Sequence, residues 1–339
     1  MGFLQLLSVA SFPVIKVLLV TAVGLFLALD DISILGEDAR KKVNQLVFYV
    51  FNPSLVATNL AKTITLESVV QLWFMPFNIL ITFMLGSTLG WILIKITRPP
   101  QQLEGLILGC CSAGNLGNLP IIIIPAMCRE SGSPFGDSDV CYQYGMAYAS
   151  LSMAVSISSK IKNCVGVISS NLNFKAVFAP STTGAIIGFV IGIISPVRHL
   201  IIGRGAPLHV VEESTSMLGE AAIPTLTLIM GANLLKGLKG SSTPLWTLVG
   251  IVTVRYIFLP LLGVAVVKAA IHLSLVPSDP LYQFVLLLQH ALPPAMNIGT
   301  IAQLFGAGES ECSVIMLWTY ALASIAVTLW STFFMWLVS

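Results

Sequence analysis

Ten stretches of this chain, approximately residues 8–29, 43–62, 68–95, 103–127, 141–159, 176–197, 215–236, 243–270, 281–305 and 312–337, are apolar for long enough to cross a lipid bilayer. A hydrocarbon core of about 30 Å takes roughly 20 residues of helix. Backbone groups in lipid must find partners within their own segment, so each stretch is predicted to be helical. The alternating pattern of a membrane β-barrel is absent. The first stretch has no positively charged region ahead of it and is long enough to span, so it reads as a retained helix rather than a signal peptide. The expected fold class is an all-α polytopic membrane protein.

Composition removes the soluble alternatives. Hydrophobic residues make up 56% of the 339 and charged residues only 9%, where a soluble domain carries about 25% charge. A net charge of +2, with no basic run longer than Arg40-Lys41-Lys42, excludes nucleic acid as a partner. The six cysteines follow no metal-ligand spacing, and Cys110 and Cys111 lie inside an apolar run. They are expected to be reduced, small hydrophobes without disulfides, and no metal or cofactor is expected.

Loop charge gives an orientation. The loops after spans 1, 3, 5, 7 and 9 hold Arg40, Lys41, Lys42, Lys95, Arg98, Lys160, Lys162, Lys175, Lys236 and Lys239. The opposite face holds Lys62, Arg129, Arg198, Arg204 and Lys268. The positive-inside rule puts the richer set in the cytosol, and both termini in the lumen or exterior. The lysine-bearing segment between spans 5 and 6 divides the chain into residues 1–159, a cytosolic linker 160–175, and residues 176–339. Corresponding sites recur in the two parts. Asn59-Leu60-Ala61-Lys62 ends span 2 and Asn233-Leu234-Leu235-Lys236 ends span 7, with Pro53 and Pro224 upstream. Span 4 carries Gly114-Asn115-Leu116-Gly117-Asn118-Leu119-Pro120, and span 9 carries Pro293-Pro294-Ala295-Met296-Asn297-Ile298-Gly299, with Asn118 aligning on Asn297. Five is an odd number of spans, so the second repeat enters from the opposite side and the repeats are inverted.

The chemistry is expected at those two interruptions. Proline removes an amide donor and glycine weakens a helix by about 1 kcal/mol against alanine. Irregular backbone at mid-membrane depth persists only where protein buries it or it lines a watery cavity. A broken span exposes a half-helix N-terminus, equivalent to about half a positive charge, and two such breaks crossing make a site for an anion. Asn115, Asn118 and Asn297 could donate amide hydrogens to a carboxylate there. The competing reading is a pair of proline kinks whose asparagines satisfy only local backbone.

Ionisable groups in the spans are Lys16, Glu220, Arg255 and His290, each a functional candidate because charge at depth is costly. Lys16 and Glu220 lie near enough to span ends to reach the interface. His290, beside Gln289 and one turn before Pro293-Pro294, is a candidate proton carrier or a packed, hydrogen-bonded residue. Arg255 has three candidate partners: a carbonyl, Glu220 or substrate. Tyr144 and Tyr148, four apart with Gln143 nearby, either pack or wall a flat ligand. No span holds a pair of acids of the kind that builds a dedicated sodium or proton site.

The run from Cys111 to Pro120, the run from Gln289 to Thr300 and the run from Glu311 to Tyr320 resemble plant PIN-LIKES (PILS) proteins of the auxin efflux carrier superfamily, and the likeness extends over essentially the whole chain. The resemblance implies ten helices in inverted five-plus-five repeats, with broken helices 4 and 9 crossing, spans 1, 2, 6 and 7 as scaffold and the rest as a moving bundle. It implies residence in the endoplasmic reticulum and carriage of indole-3-acetic acid from cytosol towards lumen. It also implies Asn115 or Asn118, Gln143 and Tyr148 as counterparts of the substrate-binding residues; with the two breaks, the expected substrate set is Asn115, Asn118, Pro120, Gln143, Tyr148, Gln289, Pro293, Pro294 and Asn297, and the ionisable His290, Arg255, Glu220 and Lys16 are the candidates for proton or charge coupling. Two departures stand out. Asn115 lies nearer the proline than its PIN counterpart, and the central loop is short, which predicts a break in the backbone near residues 155–165. Partners expected are the indole carboxylate and membrane lipid, with a homodimer allowed. The rival functions are a carrier of malate or bile-acid-like anions, a plasma-membrane auxin exporter, and an auxin receptor. An intramembrane enzyme is disfavoured: there is no HExxH or pair of aspartates in the spans, and Asp30-Asp31 lies in a loop.

Overall fold

A computed structural model describes residues 3–65, 72–167, 180–203, 205–238, 244–295, 298 and 309–339. Their regular structure is helical, as the apolar runs require. Helix α1 spans Phe3–Leu27. Helices α2 (Glu37–Leu46) and α3 (Asn52–Thr63) are joined by a π turn at Val47–Phe51. Then come α4 (Phe74–Thr97), α5 (Gln101–Ser112), α6 (Asn118–Arg129), α7 (Ser138–Val167), α8 (Pro180–Ile193), α9 (Ser195–Ile201), α10 (His209–Glu220) and α11 (Ala222–Leu238). Helices α12 (Leu245–Thr253) and α13 (Leu259–His272) are joined by a second π turn at Val254–Phe258, and α14 (Pro280–Leu288) and α15 (Glu309–Val338) complete the chain.

Four helical stretches, Leu4–Leu27, Phe74–Thr97, Leu245–His272 and Glu311–Val338, are long and apolar enough to cross a bilayer unbroken. The pair α8–α9 could make a fifth crossing but is bent by 103° at Ile194, where Pro196 in the first turn of α9 has no N–H for the carbonyl four residues back. Expected span 5 falls on α7, whose 30 residues run unbroken, and the remaining expected spans fall on shorter or interrupted helices among the described residues. Large apolar side chains face outward along the long helices, among them Leu19, Met84, Trp91, Trp246 and Ile325. An apolar exterior on this scale suits lipid, not water.

Two of the predicted features need correction. The backbone expected to break near residues 155–165 is continuous, because α7 runs helical through to Val167. The expectation of no disulfides also fails: Cys128 at the end of α6 and Cys141 at the start of α7 are bonded. The short turn between two antiparallel helices brings their Cα atoms to 5.4 Å, within the range a disulfide bridges. Cys110, Cys111 and Cys312 are free and buried, as expected.

Each π turn immediately precedes a proline, Pro53 or Pro260, in the first turn of the helix that follows. Proline has no N–H for the carbonyl four residues back. For Pro260 that orphan is the Tyr256 carbonyl, and Trp330 Nε1 of α15 donates to it instead at 2.8 Å.

The helices pack as two groups. Helix α3 lies against α8 and α10, and α1 against α11; α4 lies against α5, α6 against α7, and α14 against α7 and α15, with α15 also touching α1 and α11. Gly184, Gly188 and Gly192 form a stripe at four-residue spacing down α8. A Cβ on them would sit 2.5, 2.6 and 2.7 Å from the carbonyls of Pro53, Ala57 and Ile64. In lipid, where no hydrophobic force pulls helices together, such bare backbone contact lets dispersion hold the pair. Gly188→Ala is therefore expected to lower the thermal midpoint of the purified protein by several degrees, a cost of ~1–3 kcal/mol for overpacking. Gly205→Ala, where a Cβ meets nothing within 4 Å, should leave it unchanged; equal midpoints for both variants would refute the backbone contact.

Candidate functional site

Two interrupted helices meet in the interior. Helix α5 stops at Ser112, and the chain runs extended through Ala113–Asn115 and turns at Leu116-Gly117 before α6 begins at Asn118. Helix α14 stops at Leu288, and Gln289–Ala295 leaves the helical path at Pro293-Pro294. The two extended segments pair in antiparallel fashion, Gly114 opposite Pro294. The Asn115 amide donates to the Pro293 carbonyl at 2.8 Å, and the Ala295 amide to the Ala113 carbonyl at 2.9 Å. Prolines that cannot extend a helix thus contribute their carbonyls to a short ladder, which satisfies backbone that lipid could not.

Side chains from three other helices close around this junction. Arg255, in the π turn between α12 and α13, is 1% exposed. Its guanidinium donates to the Cys111 carbonyl at 3.1 Å and the Pro293 carbonyl at 2.8 Å, while its Nε has no partner. Of its two candidate protein partners, Arg255 bonds carbonyls, and Glu220 lies in the cleft lining. The Cys111 carbonyl is an orphan at a helix C-terminus, the end that favours a cation. From α15, the Tyr320 hydroxyl accepts from the Asn115 side-chain amide at 2.9 Å and donates to the Pro294 carbonyl at 2.8 Å.

A second polar network flanks the break from α4. Asn78 donates to Gln289 Oε1 at 2.8 Å and to the Leu286 carbonyl at 3.0 Å. Gln289 Nε2 donates to the Ser152 hydroxyl at 3.2 Å, and that hydroxyl reaches the Leu116 carbonyl at 3.4 Å. His290, 1% exposed, lies 3.2 Å from the Thr82 hydroxyl and from Asn78 Oδ1. Its described partners are neutral, the arrangement of a packed histidine.

Helix α6 leaves the junction from Gly117, which has no side chain with which to cap the N-terminal amides, and Pro120 sits harmlessly in its first turn. Beside it, an apolar void of ≈ 50 Å³ lies among α1, α6, α11 and α15, lined by Val17, Leu119, Met230 and Tyr320. Further along the same helix a far larger cleft opens, ≈ 1120 Å³, between α6 and α7 on one side and α3, α10 and α11 on the other.

The expected site residues therefore separate. Asn115, Gln289, Pro293 and Pro294 gather at the junction with Arg255 and His290. Gln143, Lys16 and Glu220 line the cleft. Tyr148 is buried outside both cavities; its hydroxyl donates to Asp279 at 2.7 Å and its ring meets Tyr282 at 5.3 Å. The side chain of Asn118 and all of Asn297 lie outside the described residues. Within the cleft, Lys16 pairs with Glu130 and Lys62 with Glu212, each at 2.6 Å. Burial would raise the Glu212 carboxyl, but Lys62 and then His209 outweigh it and hold it below its usual range. Sequence reasoning missed Asn78, Thr82, Ser152 and Tyr320. The available signal was polar side chains inside spans, which need partners wherever they are buried.

The sequence profile described as Membrane transport protein matches residues 9–162 and 157–331. Over 99% of both chains, the protein is 50% identical to Protein PIN-LIKES 3 of Arabidopsis thaliana. Protein PIN-LIKES 1 of the same plant is 51% identical over all of this chain and 81% of its own length, and Protein PIN-LIKES 4 is 47% identical over the whole of both. The chain belongs to the PIN-LIKES family of membrane transport proteins. The likeness to PIN-LIKES 3 runs over 386 aligned positions against the 339 residues here, so that relative fills positions which this chain leaves empty.

Because Arg255 serves the orphaned Cys111 carbonyl and shares the Pro293 carbonyl with the Asn115 amide, Arg255→Met should strand the Cys111 carbonyl at a cost of ~1–3 kcal/mol, and Arg255→Lys should recover part of the loss. Thermal unfolding in detergent reads the difference. An unchanged midpoint in Arg255→Met would mean that the junction does not depend on the guanidinium.

Proposed function

We propose that the protein carries indole-3-acetate between the cytosol and the lumen of the endoplasmic reticulum, binding it where the two interrupted helices meet. The observation behind this reading is the junction itself: a buried guanidinium with no carboxylate among its described partners, next to a helix N-terminus whose N-cap residue, Gly117, has no side chain to offer. An uncompensated positive environment inside an apolar bundle favours a small anion with an apolar body. The PIN-LIKES relationship and the resemblance to auxin efflux carriers name the anion.

In this reading the ten apolar stretches form two inverted sets of five, with broken helices 4 and 9 crossing at the junction. The two matched stretches of the family profile, which meet at 157–162, support a division there. A void of ≈ 50 Å³ beside the junction is far below the ~300–1,000 Å³ of an ordinary small-molecule pocket. Substrate therefore needs the bundle of spans 3–5 and 8–10 to shift against α1, α3, α8, α10 and α11. The larger cleft lies along that boundary and is one route to the site. Asn115, Asn118 and Asn297 hold the carboxylate; Gln143 guides it from the cleft; Gln289 and Tyr148 brace the surrounding helices. His290 is the candidate for coupling to protons.

The Cys128–Cys141 disulfide supports the orientation. Disulfides persist in oxidising compartments, and this one sits in the loop after span 4, on the face that the lysine and arginine count places away from the cytosol. Both termini then face the lumen and the 160–175 segment faces the cytosol. Peptide mapping of thiol-blocked, unreduced protein is expected to recover the Cys128–Cys141 crosslink; free thiols at both positions would count against a lumenal loop.

The deciding experiment is uptake of labelled indole-3-acetate into proteoliposomes under imposed pH gradients. Wild type should accumulate label in a saturable way. Asn115→Ala should lose most of the uptake while unfolding at a similar temperature. A pH profile unchanged in His290→Ala would return that histidine to packing. Failure of wild type to move any indole carboxylate, with sodium-dependent malate uptake in its place, would replace this reading by the wider organic-anion one.

A further inference from the structure

Helix α6 connects two different places: its N-terminus lies at the junction and its last residue, Arg129, lies at the mouth of the cleft. Eleven residues of helix separate Asn118 from Arg129, or about 16 Å at 1.5 Å per residue. At the mouth, the Arg129 guanidinium carbon stands 4.0 Å from the ring centroid of Tyr142, and both side chains line the cleft. Each follows a cysteine of the Cys128–Cys141 disulfide in sequence, so the covalent bond between α6 and α7 sets this cation and this ring side by side.

The charges around the pair give it a direction. Of the cations that line the cleft, Lys16 is matched by Glu130 and Lys62 by Glu212, both at 2.6 Å, and His209 lies between Glu212 and Glu213. Among the described residues Arg129 has no carboxylate partner, although Glu130 is its neighbour in sequence. The side chain is exposed. A guanidinium stacked by its face on a phenol keeps its N–H edges free, and those edges fit a carboxylate in bidentate fashion. Pro125 and the half-exposed Tyr144 supply flat apolar wall in the same cleft.

We infer that Arg129 and Tyr142, held together by the Cys128–Cys141 disulfide, form a second binding station at the cleft mouth, which takes the carboxylate and the ring of an aromatic acid before or after it occupies the junction. This station rests on the carrier reading and adds to it a selectivity for aromatic carboxylates over aliphatic ones. The stacked pair is already in register, so little side-chain freedom is lost on binding. Reduction of the disulfide would let the two residues drift apart and weaken the station without touching the junction.

The test is initial counterflow of labelled indole-3-acetate in proteoliposomes containing the full chain. Arg129→Gln and Tyr142→Leu are each expected to raise the half-saturating concentration about fivefold to tenfold and leave the maximal rate within about twofold. Tyr142→Phe, which keeps the ring, should behave as wild type, and Arg129→Lys should fall between. The double variant Cys128→Ser, Cys141→Ser should shift half-saturation in the same direction, as should dithiothreitol on wild type. Benzoate should compete better than acetate in wild type and lose that advantage in Arg129→Gln. Saturable wild-type transport with unchanged half-saturation in both Arg129→Gln and Tyr142→Leu overturns the station and leaves the carrier reading standing. A fall in maximal rate alone also overturns it, since that marks a structural role. Wild type with no saturable counterflow of indole-3-acetate overturns both.

Discussion

The Gly114–Pro294 pairing is the contact on which the rest of the interior depends. Two helices that would otherwise cross the apolar core unbroken stop there, and each hands the other the backbone partners it lacks. Without that exchange, several amides and carbonyls would be stranded in a medium that offers no water, at a cost of several kcal/mol each. Arg255, Tyr320 and Asn115 are arranged as consequences of it. The guanidinium serves carbonyls at both interruptions, and the phenol links the Asn115 side chain to the Pro294 carbonyl.

The packing around the junction follows a different logic. The groups that hold α3 to α8 and α1 to α11 use glycine stripes and bare backbone, a dispersion contact that tolerates almost no added volume. The flank of α14 uses a hydrogen-bonded chain through Asn78, Gln289 and Ser152. A polar chain of this kind fixes one arrangement because every partner must stay satisfied. The boundary between these two kinds of contact is where the cleft lies. The Lys16–Glu130 ion pair crosses it, with Lys16 well exposed, and such exposed pairs are weak; the packing of α15 on α1 and α11 and of α7 on α3 crosses it as well.

Electrostatics divides the protein in the same way. At the junction the hydrogen-bond partners of Arg255 among the described residues are backbone carbonyls. In the cleft most charges are matched, and Arg129 stands apart from the matched ones. An anion passing along α6 would therefore leave one guanidinium at its C-terminal end and approach another beyond its N-terminal end.

Much of this was legible from composition and spacing, because lipid imposes simple rules. Apolar runs of span length had to be helices, and the two Gly/Pro/Asn clusters had to be breaks. Prolines, glycines and the missing N–H are local chemistry, so the positions of the interruptions could be read at Gly114 and Pro293 directly. Side-chain partnerships could not, because they depend on which helices become neighbours. Arg255 chose carbonyls over Glu220, Tyr148 turned to Asp279 and away from the cleft, and Gln143 ended in the cleft while Asn115 ended at the junction. Cysteine spacing likewise gave no sign that Cys128 and Cys141 would bond, since only the close approach of α6 and α7 brings them within reach. Sequence alone determined that the chain spans a membrane and where its helices fail; the tertiary structure alone decided which polar groups those failures bring together, because pairing across space is a property of packing and not of order along the chain.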